Sequence, residues 1–157
     1  MIKISRDGEV IEMTEEEYAA TWAPVSFTNR KLAMLDAVNA RASSILAAGA
    51  PIVHGGQTYH IDLTDGSRAN MGSMATTAIG AVASLVPWPA EYQQGWITME
   101  NPRIPLPTPA DGLALASAVG IFYAACLQRG RDLKNAVIAA ADATALDAID
   151  IEAGWPS

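Results

Sequence analysis

The chain has 157 residues, a net charge of −7 and a single cysteine; half of its residues are hydrophobic, but only 6% are aromatic. That length suits one domain whose core needs no disulfide or metal staple. The acidic balance argues against duplex DNA or RNA, whose phosphates require clustered Lys and Arg, and a lone Cys126 leaves no intrachain disulfide and points to synthesis in a reducing compartment.

In chain order, Ile2 and Ile4 alternate with polar residues, Asp7-Gly8 is a turn dipeptide, and Val10 and Ile11 follow, which reads as a small hairpin. No apolar run follows the first residues, so no secretory signal is expected. Thr14-Glu15-Glu16-Glu17 is a capping box: the hydroxyl accepts from an orphan backbone donor and Glu17 reaches back to the cap. It predicts a short helix to about residue 20, stopped by Pro24, with residues 21–27 as a linker. Asp7, Glu9, Glu12, Glu15, Glu16 and Glu17 crowd this region, so residues 1–27 read as an acidic appendage to a domain over residues 28–157.

A cap at Thr28 or Asn29 predicts a helix to about residue 48, with Gly49 and Pro51 as stop signals. Leu35, Val38, Ala42 and Ile45 recur three, four and three apart, broadened by Leu32 and Leu46. That stripe is either a helical seam between copies of the chain or a face packed on the chain's own later helices. Ile52-Val53 and Thr58-Tyr59-His60-Ile61, joined through His54-Gly55-Gly56, predict a second hairpin. A cap at Asp65 or Ser67 predicts a helix over residues 68–85, ended by Pro87 and Pro89. Residues 96–99 read as a strand, and Pro102, Pro105, Pro107 and Pro109 keep the next segment extended. Thr108-Pro109-Ala110-Asp111 opens a long helix. It continues through Gly130 to about residue 141, at a cost there of about 1 kcal/mol relative to Ala. A short helix over residues 144–149 closes a mainly α (α+β) domain of three to four helices with two short β-hairpins.

Residues 69–90 and 112–128 carry no charge. The first is interrupted by Asn70, Gly72, Ser73, Thr76, Thr77 and Gly80, and the second is shorter than the roughly 20 apolar residues of a membrane span. Helices with small-residue faces explain both, so no membrane insertion is expected.

Three groups of residues raise the question of chemistry. His54, His60 and Asp62 would need one common face to hold a metal; His60 and Asp62 share one in a strand, but the histidines flank a Gly-Gly turn and read as exposed. Cys126 sits among Phe122, Tyr123 and Leu127, with no basic partner to activate it as a nucleophile. Glu91, Glu100 and Asp111 could supply a glycosidase pair, which needs a rigid cleft, and aromatic platforms for a sugar are few. Phosphate-loop, dinucleotide-loop and Cys-x-x-Cys patterns are missing. The residues therefore predict no catalysis, no cofactor and no metal. Trp88, Trp96 and Trp155 are interface anchors or caps on the helical core; the second suits Trp96 better, while Trp155, beside the chain end, stays a candidate interface residue with Leu35, Val38, Ala42 and Ile45. Asn101 is read as shaping a turn, against the extended bias of a residue preceding Pro102.

The order of several short pieces resembles a known family. These are Asn39-Ala40-Arg41 leading to Ala47-Ala48-Gly49-Ala50-Pro51, then Gly55-Gly56-Gln57-Thr58-Tyr59, Asp62 and Ser67-Arg68-Ala69-Asn70. Trp96-Ile97-Thr98-Met99-Glu100-Asn101, Leu133-Lys134, Leu146-Asp147-Ala148-Ile149-Asp150 and Gly154-Trp155-Pro156 follow. The chain is similar, over about residues 28–157, to a domain-of-unknown-function family found mainly in tailed bacteriophages and prophages, in or beside tail-fibre and other tail proteins. The resemblance brings no chemistry. It implies a non-catalytic virion component at the tail tip, baseplate or fibre, made in the host cytoplasm and working on other phage tail proteins. A tail-fibre assembly chaperone, a host-surface receptor-binding module and a membrane protein of the lysis machinery are the rivals. The thin Ala-rich core and the helical stripe suggest a homo-oligomer, and the resemblance, through tail fibres that are commonly threefold, implies foremost a trimer with the 29–48 helix near its axis.

Overall fold

The computed structural model describes residues 1–6, 9–21 and 25–157. The Asp7-Gly8 turn and the Pro24 stop lie outside the described residues. Strand β1 (Ile2–Arg6) pairs antiparallel with β2 (Glu9–Met13), setting Ile2 opposite Met13 and Ile4 opposite Ile11. Helix α1 (Glu15–Thr21) opens on the expected box: Glu17 N donates to Thr14 Oγ1 at 3.1 Å and Thr14 N to Glu17 Oε2 at 2.8 Å.

Helix α2 (Phe27–Ala48) starts earlier than a Thr28 or Asn29 cap predicts, because Ser26 takes that role and accepts from Asn29 N at 3.2 Å. It stops at Gly49, whose φ of 86° suits glycine; a Cβ there would lie 2.6 Å from Met99 Sδ and 2.8 Å from the Ile61 carbonyl oxygen. Strands β3 (Ala50–His54) and β4 (Gln57–Ile61) form the second hairpin across Gly55-Gly56. Helix α3 (Asp65–Val82) is capped by Thr64, not by Asp65 or Ser67. Asp62 presets that cap by accepting from Thr64 N at 3.0 Å and Thr64 Oγ1 at 2.5 Å.

The end of α3 comes before the prolines. Leu85 N donates to Gly80 O at 2.9 Å and Ser84 N to Ala81 O at 3.0 Å, closing a left-handed turn with Ser84 at φ 60°. Serine is strained there. Ser84→Gly is expected to stabilise the protein by about 0.5–1 kcal/mol, the relieved left-handed strain less the freedom glycine adds to the unfolded chain. The check is a higher urea midpoint with an unchanged slope.

A short α4 (Ala90–Gln93) precedes a third two-stranded sheet that the sequence reading did not include, β5 (Trp96–Ile97) with β6 (Arg103–Ile104). The expected strand over residues 96–99 is cut to two residues because Thr98 turns the chain. Its partner was hidden by composition: Pro102 and Pro105 lack N–H donors, so only Arg103 and Ile104 between them can join a ladder.

Helix α5 (Pro109–Ala139) has 31 residues and is about 46 Å long at 1.5 Å per residue. Its Thr108–Asp111 capping box is complete, and α6 (Ala143–Asp147), capped by Asp142, ends the helical part. Gly112, Leu115, Val119, Cys126, Gly130, Leu133 and Val137 are buried along α5, spaced mostly three or four apart, so one stripe of this spine faces the fold. Helices α3 and α2 both pack on it. Contacts of Arg68 with Tyr123, and of Met74 with the Gly112 position, place α3 antiparallel on its first half. Lys134 to Asn39 at 2.9 Å and Lys31 to the Ile138 carbonyl at 2.8 Å place α2 antiparallel on its second.

The stripe read as a candidate seam between copies therefore lies within the monomer. Val38 is fully buried, and Leu35 packs on the cluster of Val137, Ala140 and Leu146. Ala42 lies at the Gly130 position, and Ile45 is half-buried at the rim of a cleft shared with Phe122. Because α5 runs uninterrupted through Gly130, it reaches far enough to cover α2, and the missing side chain there lets the two helices approach.

Candidate functional site: two clasps and an uncharged helical face

The Trp-x-Thr-x-Glu-Asn motif folds into a clasp. Thr98 N and Oγ1 both donate to the Pro102 carbonyl at 2.9 Å, and Asn101 N donates to Thr98 O at 3.0 Å. Asn101 sits at φ 80°, so its tolerance of the left-handed region prevails over the extended bias before Pro102. The turn then grips β4: Met99 N donates to His60 O at 2.8 Å, His60 N donates to Glu100 Oε2 at 3.0 Å, and His60 Nδ1 lies 2.7 Å from Glu100 Oε1. Trp96 packs half-buried on the main core.

The His60 backbone N–H, and then its ring, hold the Glu100 carboxyl down at about 2, below its ordinary 4.5. A depressed folded value means that the clasp stabilises fully above pH 4.5 and loses this contribution as pH falls towards about 2. Glu100→Gln is accordingly expected to lower the thermal midpoint at neutral pH, with the two proteins converging in acid. Parallel melting curves across that window check it; a constant gap would contradict it.

The carboxy-terminal segment is held by a second clasp. Arg129 Nε donates to the Ala153 carbonyl at 3.0 Å and Arg129 Nη2 to the same oxygen at 2.7 Å, while Gly154 turns over the guanidinium at φ 75°. Trp155 Nε1 donates to Ile151 O at 2.9 Å and the ring lies over Gly130. Trp155 is therefore half-buried on α5, with part of its ring left accessible. Arg41 Nε lies 2.8 Å from Glu152 Oε2, but off the N–H line, so α2 holds this tail by charge without a hydrogen bond.

The residues weighed for chemistry are dispersed or already engaged. Asp62 serves Thr64, His60 serves Glu100, and His54 is exposed at the end of β3. Among the described residues no group of three or more His, Cys, Asp or Glu is placed to hold a metal. Burial pushes the Cys126 thiol up, away from thiolate. Asp111 caps α5, and the Thr108 hydroxyl and backbone N–H hold its carboxyl below the usual range. Neither Glu100 nor Asp111 is thus suited to be a proton donor.

The two uncharged sequence stretches end up on neighbouring helices. Helix α5 is long and apolar enough by composition to cross a membrane, with a mean hydropathy of 1.7 over its most apolar window; here its inward stripe packs on α2 and α3. On α3, Ser73, Thr76 and Thr77 donate their hydroxyls to the carbonyls of Ala69, Gly72 and Ser73 one turn back, which turns their polarity inward. Ile79 and Val82 are 60% and 59% exposed at the end of this helix, and Leu85 and Val86 are 79% and 45% exposed just beyond it. The left-handed turn at Ser84 brings Val86 back beside Gly80, so exposed apolar side chains gather at this end of the helix. The sequence does not single out this end of the helix, because a helix with a small-residue face accounts for residues 69–90 without it.

Fold and site together define a small α+β domain whose sequence motifs are structural clasps and whose outward feature is an apolar helix end. The pattern of a domain of unknown function (DUF4376) matches residues 29–153, and the chain belongs to that family. No curated protein and no solved structure matches the chain.

Proposed function

We propose that this protein is a non-catalytic structural component of a tailed-phage virion, at the tail tip, baseplate or fibre, acting through protein–protein contacts. The observation that carries the contact role is the exposure of Ile79 and Val82 at the end of α3 and of Leu85 and Val86 just beyond it, within the uncharged stretch of residues 69–90. The largest exposed apolar patch of a soluble protein is often the surface that meets a partner. The phage setting is supported by the resemblance of the Trp-x-Thr-x-Glu-Asn and Gly-Trp-Pro motifs to the tail-associated family described above. With the α2 stripe taken up inside the monomer, this patch is also the contact on which a homo-oligomer, foremost a trimer, would be built.

Mass spectrometry of purified virions from the phage or prophage encoding the chain tests the reading. Its peptides are expected in the particle in stoichiometric amount with the other tail proteins. Presence in the infected lysate but absence from the particle would contradict it and favour a tail-fibre assembly chaperone, which would use the same patch transiently.

A further inference from the structure

We infer that the cleft between α3, α4 and the β5–β6 hairpin binds a neutral hexose-type sugar. This inference does not depend on the phage setting. The cleft has a volume of about 420 Å³, within the range of small-ligand pockets. Its walls come from three separate parts of the chain: Asn70 and Ser73 from α3, Glu91 and Tyr92 from α4, and Trp96 and Arg103 from the hairpin.

The aromatic pair is held in place. Tyr92 stacks on Trp88 with ring centroids 5.1 Å apart, and Trp96 is held by β-pairing with Ile104 and by the core beneath it. Such rings offer flat, poorly hydrated surface to the C–H face of a pyranose at little entropic cost. Asn70 and Glu91 are exposed at the mouth, and Arg103 is fixed across it by donating from Nη1 to the Gly95 carbonyl at 2.7 Å. Planar amide, carboxylate and guanidinium groups suit neighbouring hydroxyls, because each hydroxyl both donates and accepts. The lining carries one carboxylate and one guanidinium, which cancel. In a chain of net charge −7 that selects an uncharged ligand over a phosphate or a carboxylated sugar.

Saturation-transfer NMR on the full chain with glucose, galactose, mannose and N-acetylglucosamine, and with sialic acid as the anionic comparator, tests this. Transfer to the ring C–H protons of at least one neutral sugar is expected, with a Kd of about millimolar as befits one small ring in an open cleft. Asn70→Ala combined with Glu91→Ala alters only exposed side chains, so circular dichroism should be unchanged while affinity falls about tenfold. Three results would each overturn the assignment: no transfer to any of the four neutral sugars, equal affinity in the double variant, or tighter binding of sialic acid than of every neutral sugar.

Discussion

Gly95→Ala is expected to cost about 3–5 kcal/mol, the sum of left-handed backbone strain and overpacking. Gly95 is buried at φ 97°, and a Cβ would overlap the Ile104 carbonyl oxygen while lying 2.9 Å from the Ile104 carbonyl carbon and 3.0 Å from Pro105 Cα. All three are backbone atoms, so no side chain can swing away; the β5–β6 hairpin itself has to shift. That hairpin carries Trp96 and Arg103 and leads into the Glu100 clasp, so near-ultraviolet dichroism should weaken together with the urea midpoint. Gly55→Ala is the control. It shares a positive φ, of 60°, but has nothing within 4 Å of the added carbon. Its cost should be limited to strain of about 1–2 kcal/mol.

Val38→Asp should be the most damaging change on α2. Val38 is fully buried in the middle of the stripe that faces α5, and an unpaired carboxylate there would cost about 3–5 kcal/mol or more. A seam between copies would respond differently, losing oligomer while keeping helicity. The fold predicts loss of helicity and of the compact monomer together. Light scattering combined with circular dichroism separates the two outcomes.

Much of the helical framework is legible from local signals. Thr14-x-x-Glu17 and Thr108-Pro109-x-Asp111 are complete in sequence because a capping box is made by neighbours, and both form as written. Ser26 and Thr64 were passed over as caps because several hydroxyl and carboxylate residues crowd each helix start, and only backbone conformation chooses among them. The third sheet was illegible for another reason: a ladder of two residues between prolines has no periodicity to detect. The stripe of α2 was legible as apolar, but its partner was not, since Leu35, Val38, Ala42 and Ile45 suit either another copy or α5. The cleft residues, Asn70, Glu91, Trp96 and Arg103, are spread over more than 30 positions, and the reading that found few aromatic platforms could not see two of them brought together. The Trp-x-Thr-x-Glu-Asn and Gly-Trp-Pro motifs were easiest to find and belong to clasps: Glu100 holds His60, and the turn before Trp155 is held by Arg129, which the sequence reading did not single out.

Incorporation of the Val82→Asp, Leu85→Asp double variant into virions is the most direct measurement of the central claim, that this protein works by contact through the apolar end of α3. Both side chains are mostly exposed, so the variant should fold, and circular dichroism would verify that. Quantitative mass spectrometry of particles assembled with either form should find the wild-type chain at full occupancy and the folded variant strongly depleted. Full occupancy of the folded variant would contradict the claim.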